Sequence, residues 1–133
     1  MTTNQGSCLC ESIKFELKEE PNRFFFCHCT RCRKVSGSVH ASNLFYQDSS
    51  FKWLSGKDKV KTYAFADSHF KNSFCTDCGS RVPTVMENQK IMIPAGCLDT
   101  DVHIEPTAHI FCDSRANWEE SIGTSKKFNE MPT

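Results

Sequence analysis

The stretch RFFFCHCTRC, residues 23–32, sets three cysteines within six positions directly behind three consecutive phenylalanines. Residues 23–26 have the aromatic character of a strand, and residues 30–35 can close a short helical turn. Around their junction lie Cys27, Cys29 and Cys32. A disulfide would need one cysteine fewer, and a closed four-ligand metal site would need one more. The fold and the chemistry both turn on how this set is completed.

The chain has nine cysteines. Seven are clustered: Cys8 and Cys10 as CxC, Cys27, Cys29 and Cys32 as CxCxxC, and Cys75 and Cys78 as CxxCG, with Cys97 and Cys112 standing alone. Clusters of this kind point to metal ligands before disulfides, and the odd count opposes complete pairing. A CxxC turn aims two sulfurs at one ion while backbone amides donate to them, and Gly79 permits the left-handed bend that follows. Seven divides as four plus three. Cys8, Cys10, Cys75 and Cys78 would close a structural zinc, stapling the first strand to a distant hairpin. Cys27, Cys29 and Cys32 would hold a second zinc whose fourth position stays open. Spacing alone also allows Cys27 and Cys29 to join Cys8 and Cys10, or a histidine or Cys97 to close the second site. Cys97 and Cys112 are otherwise expected as small buried apolar groups.

A chain of 133 residues has the length of one domain, 1–133, here with a core over about 6–122 and a surface tail over 123–133. Sixteen basic residues balance sixteen acidic ones, so no general field draws in nucleic acid or an anionic membrane. No stretch has the apolar length of a membrane span, and the first ten residues lack the layout of a signal peptide, so the expected location is cytoplasmic. The eleven phenylalanines are expected mostly in the core.

Residues 12–17, SIKFEL, alternate apolar and charged side chains in the manner of a half-buried strand. Further strands are expected at 39–45, 51–54, 59–65, 69–74, 84–87, 90–94 and 109–112, with a tight turn at Asn88 and Gln89 and a second helical turn at 116–121. Turn residues recur about every eight to twelve positions, as in a β-sandwich or barrel. The class is mainly β with short helical turns.

The strings GSCLC, CHCTRCRKVSG, FCTDCGS, PAGCLD and HIF with a following Trp together resemble the glutathione-dependent formaldehyde-activating enzyme and centromere protein V family. The resemblance runs from Gly6 into the FNEMP tail. It implies a zinc-stapled fold of the β-tent type with two zinc ions per chain. Family structural ligands fall on Cys8, Cys10, Cys75 and Cys78, and catalytic ligands on Cys27, Cys29 and Cys32. The implied activity is that of a carbon-sulfur lyase: glutathione adds to formaldehyde to give S-hydroxymethylglutathione. The centromere-protein branch implies the alternative of a non-catalytic zinc module for a protein or small thiol ligand. Glu11 stands where the family favours glycine, Lys71 near a position of frequent arginine, and Cys97 where threonine or serine is usual.

Three thiolates make zinc a poor Lewis acid and favour a soft thiol as fourth ligand. Arg31 and Arg33 are the candidates to bind glutathione carboxylates, with Arg33 also close enough in sequence to act at the metal and Lys34 expected in solvent. His28 is expected to point away from the metal. His109, in the apolar string AHIF, is the best non-cysteine candidate for a polar group at the site. Phe24, Phe25, Phe26 and Trp118 are expected as core or pocket wall.

Overall fold

The computed structural model describes residues 3–47 and 50–132. It is mainly β, with eleven short strands in three sheets among the described residues. One sheet aligns β1 (Asn4–Ser7), β2 (Lys14–Leu17) and β5 (Lys52–Ser55) in the order β1-β2-β5. Another sets β6 (Val60–Ala64), β7 (Lys71–Cys75) and β8 (Arg81–Val82) side by side. The central, five-stranded sheet contains β3 (Arg23–Cys27), β4 (Ala41–Tyr46), β9 (Thr84–Val85), β10 (Ile91–Pro94) and β11 (Ala108–Ile110), in the order β11-β3-β4-β10-β9. A seven-residue helix, α1 (Thr30–Ser36), lies in the connection from β3 to β4.

Register decides what each face of the central sheet carries. Phe24 pairs with Leu44, and Leu44 and Tyr46 pair with Ile93 and Ile91. Side chains alternate along a strand, so these residues share one face, and there they pack with Phe15 and Leu17 of β2 as the main core. The other face presents Cys27, Ala41, Asn43, Phe45, Met92 and Thr84, with Ile110 opposite Cys27. The alternation in KFEL therefore does what its pattern predicts: Phe15 and Leu17 are buried, and Lys14 is exposed.

The expected sandwich or barrel gives way to three small sheets. Strands of two to six residues are too short to build two broad facing layers. The NQGS strand was not anticipated because it has no apolar alternation; Gly6 is there for close approach, since a Cβ would sit 2.2 Å from the Phe15 ring and 2.5 Å from the Cys97 carbonyl oxygen. Pro83 stands between β8 and β9, where a missing backbone N–H suits a break in the ladder. The strand expected at 109–112 ends at Ile110, because Phe111 takes a left-handed φ of 57° and a 3-10 turn follows at Cys112–Ser114. The turn at Asn88 and Gln89 is found, both residues having positive φ, as a tight hairpin reversal requires. The second helical turn is displaced to Glu119–Thr124.

Several burial expectations are corrected. Phe15 is the one fully buried phenylalanine, Phe24 to Phe26 are half-buried, and Phe65, Phe111 and Phe128 are exposed. Trp118 is 52% exposed, since it follows the last buried residue, Ala116, in a segment with no sheet above it. Cys112 is exposed on the 3-10 turn, and Cys97 is half-buried. Residues 120–132 are exposed throughout.

Candidate metal centres and adjoining cavity

Cys8 and Cys10 follow β1, and Cys75 and Cys78 bracket the turn that ends β7. Their four sulfurs lie within 4.8 Å of one another. A tetrahedron with Zn–S near 2.3 Å has S···S edges of about 3.8 Å; Cys8 and Cys10 are 3.6 Å apart, and Cys10 and Cys75 are 3.9 Å apart. Backbone amides are aimed at these sulfurs, Ile13 N–H to Cys8 Sγ at 3.3 Å and Asp77 N–H to Cys75 Sγ at 3.4 Å. Gly79, at φ 77°, returns its N–H to the Cys75 carbonyl at 2.8 Å. Hydrogen bonds from the Ser80 hydroxyl and amide, then the Cys10 amide, pull the Cys78 thiol down to about 5. Four sulfurs at this spacing could hold a zinc ion, and the set joins the sheet of β1 to the sheet of β7.

The second cluster sits where β3 runs into α1. Cys27 ends the strand, Cys29 caps the helix by accepting the Cys32 N–H at 3.3 Å, and Cys32 is one turn in. The three sulfurs lie within 4.8 Å of one another, and no fourth Cys, His, Asp or Glu joins them among the described residues. Gly37, at φ 62°, ends the helix by donating to the Arg33 carbonyl at 2.9 Å. Burial raises the Cys27 thiol above its ordinary value. Burial, and then the neighbouring Cys27 and Cys29 sulfurs, push Cys32 up further. As thiolates, three groups this close and this dry would need a cation among them, so the donor set could hold a metal with room for one more ligand.

Above Cys27, Cys29 and Cys32 opens a cavity of about 850 Å³. Its floor is the cysteine face of the central sheet, with Asn43, Phe45, Thr84, Met92 and Ile110; Phe70 also lines it, packed against Cys27, Cys32 and Ala41. Among the described residues four cations line it, Arg31, Lys71, Arg81 and Lys90, against one carboxylate, Glu87. Arg31 lies over the Phe65 ring at 4.6 Å, an arrangement that fixes a guanidinium. Arg81 donates from Nε to Asn72 Oδ1 at 2.7 Å. Burial lowers its pKa, opposed by the attraction of Cys32 and Cys97, so a guanidinium sits in a desolvated place beside the cluster. Asn43 Oδ1 is buried with no hydrogen-bond partner among the described residues.

The sequence-predicted residues divide. Arg31 lines the cavity and Arg33 does not, because two residues along a helix turn the side chain to the other side. Lys34 is exposed, as expected. His109 lies away from the cysteines: it pairs with Phe26, and its neighbour Ile110 pairs with Cys27, so alternation sends the imidazole to the opposite face. His28 does point away from the cluster, to a contact of 2.8 Å between its Nε2 and His109 Nδ1. The imidazole that lines the cavity is His69. His69, Asn43 and Arg81 were missed because none belongs to a cysteine motif; for Arg81 the available signal was its place just after CGS, where the turn re-enters a strand.

A crystal structure of a Rhodobacter sphaeroides protein has the same fold, with a TM-score of 0.57 at 18% identity over 79% of this chain and 98% of that chain. A sequence profile described as "Glutathione-dependent formaldehyde-activating enzyme" matches residues 3–114, a span that takes in both cysteine clusters and the strands that carry them. With that match extending over most of its length, the chain belongs to the glutathione-dependent formaldehyde-activating enzyme family.

Proposed function

We propose that the chain is a zinc-dependent carbon-sulfur lyase that makes and breaks the adduct of formaldehyde with glutathione or a similar anionic thiol. The observation that carries this reading is a set of three cysteines, without a fourth ligand among the described residues, at the floor of a cavity lined by four cations. Cys27, Cys29 and Cys32 would hold the catalytic zinc, and Cys8, Cys10, Cys75 and Cys78 the structural one. When bound, the three-cysteine zinc supplies a soft Lewis acid that favours the thiolate form of a substrate thiol.

The chain's own residues supply the rest. Arg31 and Arg81 offer planar forks for substrate carboxylates, and Lys71 and Lys90 add positive charge at the walls. Asn43 Oδ1, already desolvated, is an acceptor for an amide N–H of the bound thiol. Phe45, Phe70, Met92 and Ile110 exclude water, which strengthens each polar contact. In the synthetic direction the sulfur forms a bond to the aldehyde carbon, the C=O π pair moves to oxygen, and the proton lost by the thiol ends on the new hydroxyl. His69, which lines the cavity, would carry that proton. The lyase direction is the reverse.

The test is to measure zinc per chain, then to titrate glutathione into cobalt-substituted protein while following thiolate-to-metal absorption. A response present in the wild type and lost in Cys29→Ser, with adduct formation faster than the uncatalysed addition, supports the enzyme. A response without rate enhancement supports a non-catalytic module that binds a small thiol. Two inert metals overturn both.

A further inference from the structure

We propose that His28, His109 and Glu119 form a third metal site, for a divalent ion of the zinc class, on the face of the central sheet turned away from the cysteine cavity. One ligand atom from each of the three residues lies within 4.8 Å of the other two. They come from three separate segments: the residue after β3, the middle of β11, and the 3-10 turn at Glu119–Thr124. Glu119 lies beyond the residues matched by the family profile, which end at 114. The site is therefore completed by a segment outside that match.

The His28 ring is 1% exposed, and its main-chain N–H is tied to the Ile110 carbonyl at 2.9 Å. Its Nδ1 is buried with no partner among the described residues, and its Nε2 meets the Nδ1 of His109 at 2.8 Å. A buried imidazole whose polar contact is another imidazole, with a carboxylate in reach, is an arrangement that a cation satisfies better than a shared proton does. Imidazole nitrogen and carboxylate oxygen suit zinc and its neighbours in the first transition row. Metal–nitrogen bonds of about 2.0–2.1 Å at a tetrahedral angle put the two nitrogens about 3.3 Å apart. His109, exposed on a three-residue edge strand, has to move by only a fraction of an ångström to reach that spacing.

Phe26 and His40 wall the site, stacked with ring centroids 4.5 Å apart. The nearby Arg115 turns Nη1 to the Cys112 carbonyl. Two neutral imidazoles and one carboxylate leave a divalent ion with a net charge of about plus one, and with positions open to water. The ion would tie the exposed segment from Trp118 onward to β3 and β11. Sheet alternation keeps this site separate from the thiolate cluster, so His109 cannot serve as that cluster's fourth ligand.

The experiment reconstitutes the full chain with excess zinc, removes loose ion by desalting, and counts metal by elemental analysis; a parallel series uses cobalt. Three equivalents in the wild type are expected, with one lost in each of His109→Ala and Glu119→Gln. The equivalent lost has visible d–d absorption and no thiolate-to-metal band, which separates it from the two cysteine sites. Cys29→Ser keeps it. Glu119→Gln changes a surface turn and leaves the fold intact, so it decides the matter if His109→Ala fails to fold. Two equivalents in the wild type with both thiolate bands present, or three retained in Glu119→Gln, overturn the proposal and leave a hydrogen-bonded imidazole pair.

Discussion

Glu11 has a left-handed backbone, φ 63°, in the turn that returns its N–H to the Cys8 carbonyl at 3.0 Å. A side chain there meets its own carbonyl, at a cost of about 1–2 kcal/mol, partly offset by the lower entropy of the unfolded chain relative to glycine. Glu11→Gly should therefore raise stability by about 1 kcal/mol, read as a higher denaturant midpoint with unchanged slope in metal-loaded protein. Tyr46 offers a second test. Its ring is 1% exposed, and its hydroxyl has no hydrogen-bond partner among the described residues. Burial holds its pKa above the ordinary value. A folded-state pKa raised above the unfolded one gives stability that is whole below about pH 10 and lost as pH climbs past it, because the unfolded chain releases the proton first. Tyr46→Phe should gain about 1 kcal/mol at neutral pH by removing an unsatisfied buried group. It should also flatten the fall in stability between pH 9 and 11, followed by denaturant unfolding at each pH.

At the scale of elements, the central sheet separates packing from chemistry by register alone. Asn43 sits on the cavity face between Ala41 and Phe45, and its Oδ1 bonds to nothing in the protein among the described residues. Asn43→Ala should thus leave thermal stability nearly unchanged and weaken glutathione binding about tenfold, the value of one buried hydrogen bond. Calorimetry of binding beside thermal unfolding checks both halves. The same register explains what was legible beforehand. Cysteine spacing identified the CxC, CxCxxC and CxxCG turns because each is local, whereas spacing alone left open which turns come together, Cys10 and Cys75 being sixty-five positions apart. SIKFEL revealed its buried face because its neighbours in the chain alternate. His109 was misplaced because its face depends on β11 pairing in parallel with β3, a contact across some eighty positions of sequence. Arg31 and Arg33 could not be separated without the phase of a helix that starts at Thr30. Asn43, His69 and Arg81 meet only in space.

At the scale of the molecule, the two cysteine clusters have different mechanical duties. The four-cysteine set links the β1-β2-β5 sheet to the β6-β7-β8 sheet, and Cys8 and Cys75 pack there with Ile13 and Val82 in a small core of their own. The three-cysteine set lies at a single junction, between β3 and α1, where Cys27 and Cys32 pack with Ala41, Phe70 and Ile110, and it joins no second sheet in the way the four-cysteine set does. Cys10 is exposed, so Cys10→Ser disturbs no packing and would isolate the contribution of the proposed metal. Closed structural zinc sites supply much of the folding free energy of small domains. Cys10→Ser should therefore lower stability by about 3 kcal/mol or more, whereas Cys29→Ser should cost about 1 kcal/mol and abolish the thiol response. Thermal unfolding of both variants beside metal content decides it: equal destabilisation by the two substitutions would mean that the division of labour is wrong. A strong chelator should reproduce the order, removing the ion at the open three-cysteine site while the fold persists and unfolding the chain only as the closed site empties.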